Sequence, residues 1–169
     1  MTLGDGPVTM LVVEDEPLIR SALSKFLEQR GYEVLTSESG EDALELLRRH
    51  KVTGMLLDVH LPGISGIDLV PRIMELEPDV ALLMLTAVND ATSAALCMQR
   101  GAMDYLTKPI DLEHLSRAIQ RALESRLARV TERQLNRAIR EEVAVRTAEL
   151  QMERAKMERI SVATLEALV

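Results

Sequence analysis

The sequence predicts an α/β fold, a parallel sheet covered by helices on both faces, continued by a long helical extension at the C-terminus. Three observations carry that expectation. Up to about residue 110, short apolar runs alternate with amphipathic stretches five times over. The first, third and fourth runs are nearly continuous in apolar residues, as strands buried on both faces must be. From Asp111 onward the chain contains no Pro and no Gly, while Arg, Glu, Ala and Leu recur throughout.

In chain order, strands are expected at Val8–Val13, Glu33–Ser37, Met55–Leu57, Ala81–Leu85 and Tyr105–Thr107. Helical patterns fill the gaps at Pro17–Arg30, Gly40–His50, Gly66–Glu75 and Asn89–Gln99, with a fifth starting at Asp111. Pro17 suits a first turn, where its missing N–H would find no partner anyway, and Gly31 suits the position just past a helix end. Parallel strands need a long crossover, and five strand–helix units in series provide one each time.

Past Asp111 the pattern is one long helix or two in series. Apolar or small residues fall at positions 119, 123, 127 and 130, then at 135, 139, 143, 150, 157, 160, 164 and 167, largely in steps of three and four. Two parallel copies of the chain could pair along such a seam. The step from Val130 to Leu135 is five residues, and Arg146 and Glu153 occupy seam positions, so any supercoil should be irregular there.

Composition narrows the function. The chain has nine Met, no Trp and three aromatic residues in all, so it is not built to stack on bases. Its net charge of −7 is uneven, with −8 over residues 1–109 and +1 over residues 110–169. An acidic globular part and a mixed-sign tail lack the clustered Lys and Arg that nucleic-acid backbones require, so no nucleic-acid contact is expected. Cys97 stands alone, which excludes an intramolecular disulfide and a Cys-based metal site. The N-terminus has neither a basic n-region nor an apolar h-region, and no run of about 18 apolar residues occurs. A cytoplasmic location away from membranes is the expectation.

In open parallel sheets, ligands collect at the carboxyl ends of the strands. The residues there are Glu14-Asp15, Asp58, Thr86 and Lys108-Pro109. Three carboxylates in one pocket raise one another's pKa unless a cation compensates. Mg²⁺ is the obvious cation, because it takes hard oxygen ligands and typically uses one or two carboxylates with waters and phosphate oxygens. An aspartate can attack phosphorus when metal and cationic groups neutralise the transferred charge. Lys108 offers an ammonium for that purpose and Thr86 a hydroxyl.

This set, in this order, resembles the CheY-like response-regulator receiver domain of two-component systems over about residues 8–125. The resemblance rests on Val12-Val13-Glu14-Asp15-Glu16, on Leu57-Asp58-Val59-His60-Leu61-Pro62-Gly63-Ile64-Ser65-Gly66, on Leu85-Thr86-Ala87 and on Tyr105-Leu106-Thr107-Lys108-Pro109. Each segment is weak alone, and the four in order are strong. The resemblance implies a flavodoxin-like (βα)5 doubly wound sheet with strand order 2-1-3-4-5. It implies Asp58 as phosphoacceptor, and Glu14, Asp15, Asp58 and the backbone carbonyl of His60 as ligands for Mg²⁺ or Mn²⁺. Thr86 then corresponds to the switch hydroxyl, Lys108 to the phosphate counter-ion, Tyr105 to the rotating aromatic and Lys108-Pro109 to the cis peptide. A sensor histidine kinase or phosphotransfer protein would be the phosphoryl source. Ala87 would leave the phosphate pocket open. His60 departs from the family, which often carries Met there, and this bears on the dephosphorylation rate.

On that reading residues 1–7 form a disordered N-terminus, 8–125 the receiver domain, and 126–169 a helical coiled-coil segment that links and dimerises. The stretch from Arg146 to Val169 resembles the linker leading into HD-GYP cyclic-di-GMP phosphodiesterase modules, so a chain truncated before its output domain is expected. The chain itself is expected to signal and not to catalyse a reaction on a substrate. Two other readings compete. Haloacid-dehalogenase-like phosphatases also use an Asp nucleophile and Mg²⁺, but they want a second Asp where His60 stands. A degenerate receiver serving as a dimerising scaffold is opposed by the intact Glu14, Asp15, Asp58, Thr86 and Lys108. Simpler roles also exist: Glu14-Asp15-Glu16-Pro17 as a helix N-terminal cap, Tyr105 as packing, Cys97 as a small buried hydrophobe, and His50, His60 and His114 as ordinary surface or core residues.

Overall fold

The structure, a computed structural model, describes residues 7–87 and 91–167. The start of the expected fourth helix at Asn89 and most of the expected disordered N-terminus lie outside the described residues. Five strands, β1 (Thr9–Val13), β2 (Glu33–Ser37), β3 (Gly54–Asp58), β4 (Ala81–Thr86) and β5 (Asp104–Thr107), form one parallel sheet in the order β2-β1-β3-β4-β5. The helices are α1 (Pro17–Glu28), α2 (Gly40–Arg49), α3 (Gly66–Leu76), α4 (Ala91–Arg100) and α5 (Leu112–Glu166). The expected flavodoxin-like sheet is present, and the element boundaries move by one to two residues at most ends.

Side chains of successive strand residues point to opposite faces, and this period of two sorts the core. From β1, Leu11 and Val13 join the face covered by α2, α3 and α4, with Ala43, Leu47, Leu69, Ile73 and Cys97. Met10 and Val12 join the opposite face, with Leu23, Phe26 and Leu27 of α1 and Leu115, Ile119 and Leu123 of α5. Every residue of β3 and β4 is buried, as the unbroken apolar runs require.

Helix α1 stops at Glu28, two residues short of the expected end. Gly31, at φ 83°, then turns the chain into β2 in a conformation that a Cβ would strain. Helices α2 and α3 start on side-chain caps: Ser39 accepts from the Asp42 N–H at 3.2 Å, and Ser65 accepts from the Ile67 N–H at 3.3 Å. Pro71 sits inside α3, where it cannot donate to the Ile67 carbonyl. Arg100, at the end of α4, fills that gap by donating to Ile67 O at 2.8 Å and pairing with Asp68 at 3.0 Å.

The chain divides into two compact units at Arg129/Val130. The described part of the second unit is helical from Val130 to Glu166, and ion pairs such as Arg137–Glu141 at 2.9 Å and Arg154–Glu158 at 3.0 Å run along it. Its apolar side chains, among them Leu135, Ile139, Val143, Leu150, Met157 and Ile160, are exposed. No helix among the described residues is long and apolar enough to cross a membrane.

Candidate functional site

The sheet brings the expected site residues to one edge. Glu14 follows β1, Asp58 ends β3, Thr86 ends β4 and Lys108 follows β5, so four separate strands deliver them to the carboxyl side of the sheet. In the β3–β4 register Asp58 lies beside Leu85, one residue before Thr86. The Lys108 N–H donates to the Thr86 carbonyl at 2.8 Å, which fastens the end of β5 to that of β4.

Lys108 joins the acids. Its ammonium lies 2.7 Å from Asp58 Oδ2 and 2.8 Å from Glu14 Oε2. Glu14, Asp58 and Thr86 are buried, while Asp15 is exposed at the rim. Carboxylate oxygens of Glu14, Asp15 and Asp58 all lie within 4.8 Å of one another. The backbone orients two of these groups: the His60 N–H donates to Asp58 Oδ1 at 3.0 Å and the Glu16 N–H to Glu14 Oε1 at 3.2 Å.

The electrostatics follow from burial and charge count. Burial pushes the Glu14 carboxyl above its ordinary pKa, and the nearby Asp58 carboxylate adds to the effect, while Lys108 and the Glu16 N–H oppose it. For Lys108, burial alone would lower the pKa. Its pairs with Asp58 and Glu14 outweigh that and hold the ammonium above its ordinary range. One ammonium thus faces three carboxylates, and the pocket keeps an excess of negative charge. Glu14 Oε2 is buried, with the Lys108 ammonium 2.8 Å away. Three carboxylates with oxygens within 4.8 Å of one another, facing one ammonium, fit a small divalent cation.

The loop after Asp58 is held as tightly as the acid itself. The Gly66 N–H and the Ser65 hydroxyl both donate to the Val59 carbonyl, at 3.0 Å and 3.4 Å. A Cβ on Gly66 would collide with the Asp58 carbonyl, so only glycine lets α3 start this close to the acid.

Comparison with known proteins is consistent with this geometry. The family model described as "Response regulator receiver domain" matches residues 10–120. The chain belongs to that family. The receiver domain is 38% identical over 120 residues to a cyclic di-GMP phosphodiesterase of Thermotoga maritima, a match covering 71% of this chain and 32% of that protein. Among solved structures it resembles a response regulator from Chloroflexus aurantiacus, with TM-score 0.67 and 34% identity over 70% of this chain and 99% of the other. It also resembles the signal receiver domain of an HD domain-containing protein from Pseudomonas fluorescens, with TM-score 0.69 and 27% identity over 73% of this chain and 99% of that one. The chain spans about a third of the length of the first curated relative and between 24% and 51% of others. Receiver domains are signalling domains, and this chain carries one.

Within the receiver domain the structure brings Glu14, Asp15, Asp58 and Lys108 together. It leaves Tyr105 with 43% of its surface exposed on β5 and directs the Thr86 hydroxyl to the Ala87 carbonyl at 3.5 Å. The Lys108–Pro109 peptide is cis. Sequence reasoning missed Arg20, whose guanidinium reaches the backbone behind the acidic pair, and Arg100, which completes α3. A signal for Arg20 was present, because a cation near the start of a helix runs against the helix dipole and calls for another partner.

Proposed function

We propose that this chain is the phosphoacceptor part of a two-component response regulator, with Asp58 receiving a phosphoryl group from a partner histidine kinase or phosphotransfer protein. The observation that carries the reading is Lys108 bridging Asp58 and Glu14 at 2.7 and 2.8 Å inside a cluster of three carboxylates. A carboxylate oxygen of Asp58 attacks phosphorus, and the bond from phosphorus to the donor breaks with its electron pair leaving on the donor. Glu14, Asp15, Asp58 and the His60 carbonyl would hold Mg²⁺ or Mn²⁺, which supplies positive charge to the transferred oxygens. Lys108 moves its ammonium from the free carboxylate to the new phosphoryl oxygens. An apolar groove of about 230 Å³ beside Lys108, lined by Ile19, Ala22, Leu23, Pro109, Ile110 and Leu112, gives a donor protein a place to dock.

The Thr86 hydroxyl then turns to the phosphoryl oxygens, and Tyr105 moves from its exposed position into the space behind it. This is a population shift between two arrangements of one packed domain. Residues 8–125 act as the receiver domain, and residues 126–169 link and dimerise. The exposed seam of the second unit pairs with a second, parallel copy, where Glu149 of one helix meets Arg154 of the other across flanking heptad positions when Val143, Leu150 and Met157 form the core. Likeness to a cyclic di-GMP phosphodiesterase and to the receiver of an HD domain-containing protein favours an output module of the HD-GYP class in the whole protein.

The test is an intact-mass measurement after incubation with Mg²⁺ and acetyl phosphate, with Asp58→Asn and chelator controls. One phosphoryl adduct that needs both Asp58 and Mg²⁺ is expected. A folded sample that gains no adduct from several donors would return the chain to the scaffold reading.

A further inference from the structure

We infer that Arg20 is a positioning residue for the acidic pair, setting the metal affinity of the site from behind. The inference rests on the reading of Glu14, Asp15 and Asp58 as a divalent-cation site. After β1 the chain leaves the sheet and turns into α1, so the carbonyls of Glu14 and Asp15 belong to neither a strand ladder nor a helix. Arg20 Nη1 donates to both of them, at 2.7 Å to Glu14 O and 3.0 Å to Asp15 O. The fixed plane of the guanidinium therefore fixes two consecutive peptide units. Those peptide units carry the two side chains that reach into the pocket.

The surroundings show that this contact is the main task of Arg20. Its side chain is 19% exposed, and its ion-pair partner among the described residues, Glu38 at 3.6 Å, is 71% exposed and so holds it weakly. The rest of the turn is tied by single bonds: the Glu14 N–H donates to Ser37 O at 3.1 Å, the Glu16 N–H to Glu14 Oε1 at 3.2 Å and the Arg20 N–H to Glu16 O at 3.0 Å. The N-cap residue of α1, Glu16, makes no side-chain cap, and Arg20 is a side chain by which this helix steadies the turn before it. Groups that orient metal ligands without touching the metal typically change affinity or activity by about 10- to 100-fold when removed. Arg20 holds backbone where other such groups hold a ligand's side chain, and its effect runs through the angle at which Glu14 and Asp15 present their oxygens.

The experiment compares wild type with Arg20→Ala and Arg20→Lys in the full chain. Mg²⁺ affinity is measured by calorimetry, and the rate of adduct formation from acetyl phosphate is followed across a Mg²⁺ series. Both variants should weaken Mg²⁺ binding by roughly 10-fold or more. Both should recover the wild-type maximal rate at saturating Mg²⁺, because Asp58 and Lys108 are untouched. Lysine keeps the charge, but its ammonium ends one bond short of the Nη1 that meets both carbonyls, so restored affinity in Arg20→Lys overturns the clamp in favour of simple charge. Unchanged affinity in a folded variant also overturns it, as does a lower maximal rate at an unchanged Mg²⁺ midpoint. If Arg20→Ala does not fold, Arg20→Lys and Arg20→Gln decide by the same criteria. Wild type that binds no Mg²⁺ would strike down the site reading itself, which separates that failure from failure of the clamp.

Discussion

Along α5 apolar residues recur at helical spacing with opposite fates. Leu115, Ala118, Ile119, Ala122 and Leu123 are at most 4% exposed, whereas Leu135, Ile139, Val143, Leu150 and Met157 are at least 50% exposed. The first group lies under the sheet, against Met10, Val12, Leu83 and Leu106. The second group is exposed on a helix held by i,i+4 pairs that contribute a few tenths of a kcal/mol each. Helical spacing thus creates an apolar face and leaves open what covers it. In the first unit the cover is the chain's own sheet, and in the second it must be another molecule or water.

Truncation at matched positions breaks this contrast most sharply. Leu115→Ala should lower unfolding stability by about 2–5 kcal/mol in urea, the range for a fully buried leucine losing its contacts. A loss of well under 1 kcal/mol would mean that α5 does not complete the core. Next in size is Arg100→Ala, which strips the Ile67 carbonyl of the donor that stands in for Pro71. Because Arg100 is 32% exposed, water recovers part of the loss, and about 1 kcal/mol is expected from the urea midpoint. Restoring a proline-free helix with Pro71→Ala should shrink that cost, and no coupling between the two substitutions would refute the account.

Charge separates the two regions as well. Glu141 and Glu158 lie in solvent, whereas Glu14 is buried and its pKa is raised, first by burial and then by Asp58. The sign is fixed by linkage: stability tied to a raised carboxyl is full below the ordinary glutamate value and is lost as pH rises through the raised value. In metal-free protein, ionising Glu14 is therefore destabilising. A divalent cation reverses this by binding the ionised form, so Mg²⁺ affinity should increase as pH rises from the ordinary glutamate value through the raised one. Calorimetry that finds affinity flat over that interval, or falling, would remove Glu14 from the ligand set.

The smallest effect is expected where nothing covers the helix. Leu150→Ala should change the urea midpoint of the dilute chain by no more than about 0.5 kcal/mol. Its effect should appear instead as a loss of dimer in light scattering at high concentration. A wild-type chain that stays monomeric at all concentrations would end the dimer proposal and leave the seam to a different partner.

Much of the fold and of the site is legible in the residues themselves. The strands at Val8–Val13 and Ala81–Leu85 follow from apolar runs that only a doubly covered sheet can bury, and strand-end positions single out Glu14, Asp58, Thr86 and Lys108. The ends are less legible: Gly31 takes the positive φ expected just past the helix, but α1 stops at Glu28 because the last turn tightens, with the Arg30 N–H on Leu27 O at 3.0 Å and the Gly31 N–H on Glu28 O at 2.9 Å, and no apolar period marks that. Arg20 escapes for another reason. Its charge near the start of a helix asks for a partner, but only the folded turn shows that the partner is two backbone carbonyls.

The sequence alone determined the order of elements, the faces they would bury and the chemical types at the sheet edge, because these depend on local period and on the residue following each strand. Only the tertiary structure decided that Lys108 would bridge Asp58 and Glu14, that Arg100 would complete α3 at Ile67, and that Gly66 alone could stand against the Asp58 carbonyl. These contacts join residues separated by 33 to 94 positions or set a side chain against backbone at close range. No periodicity encodes such distances; the register of the parallel strands and the packing of the helices fix them.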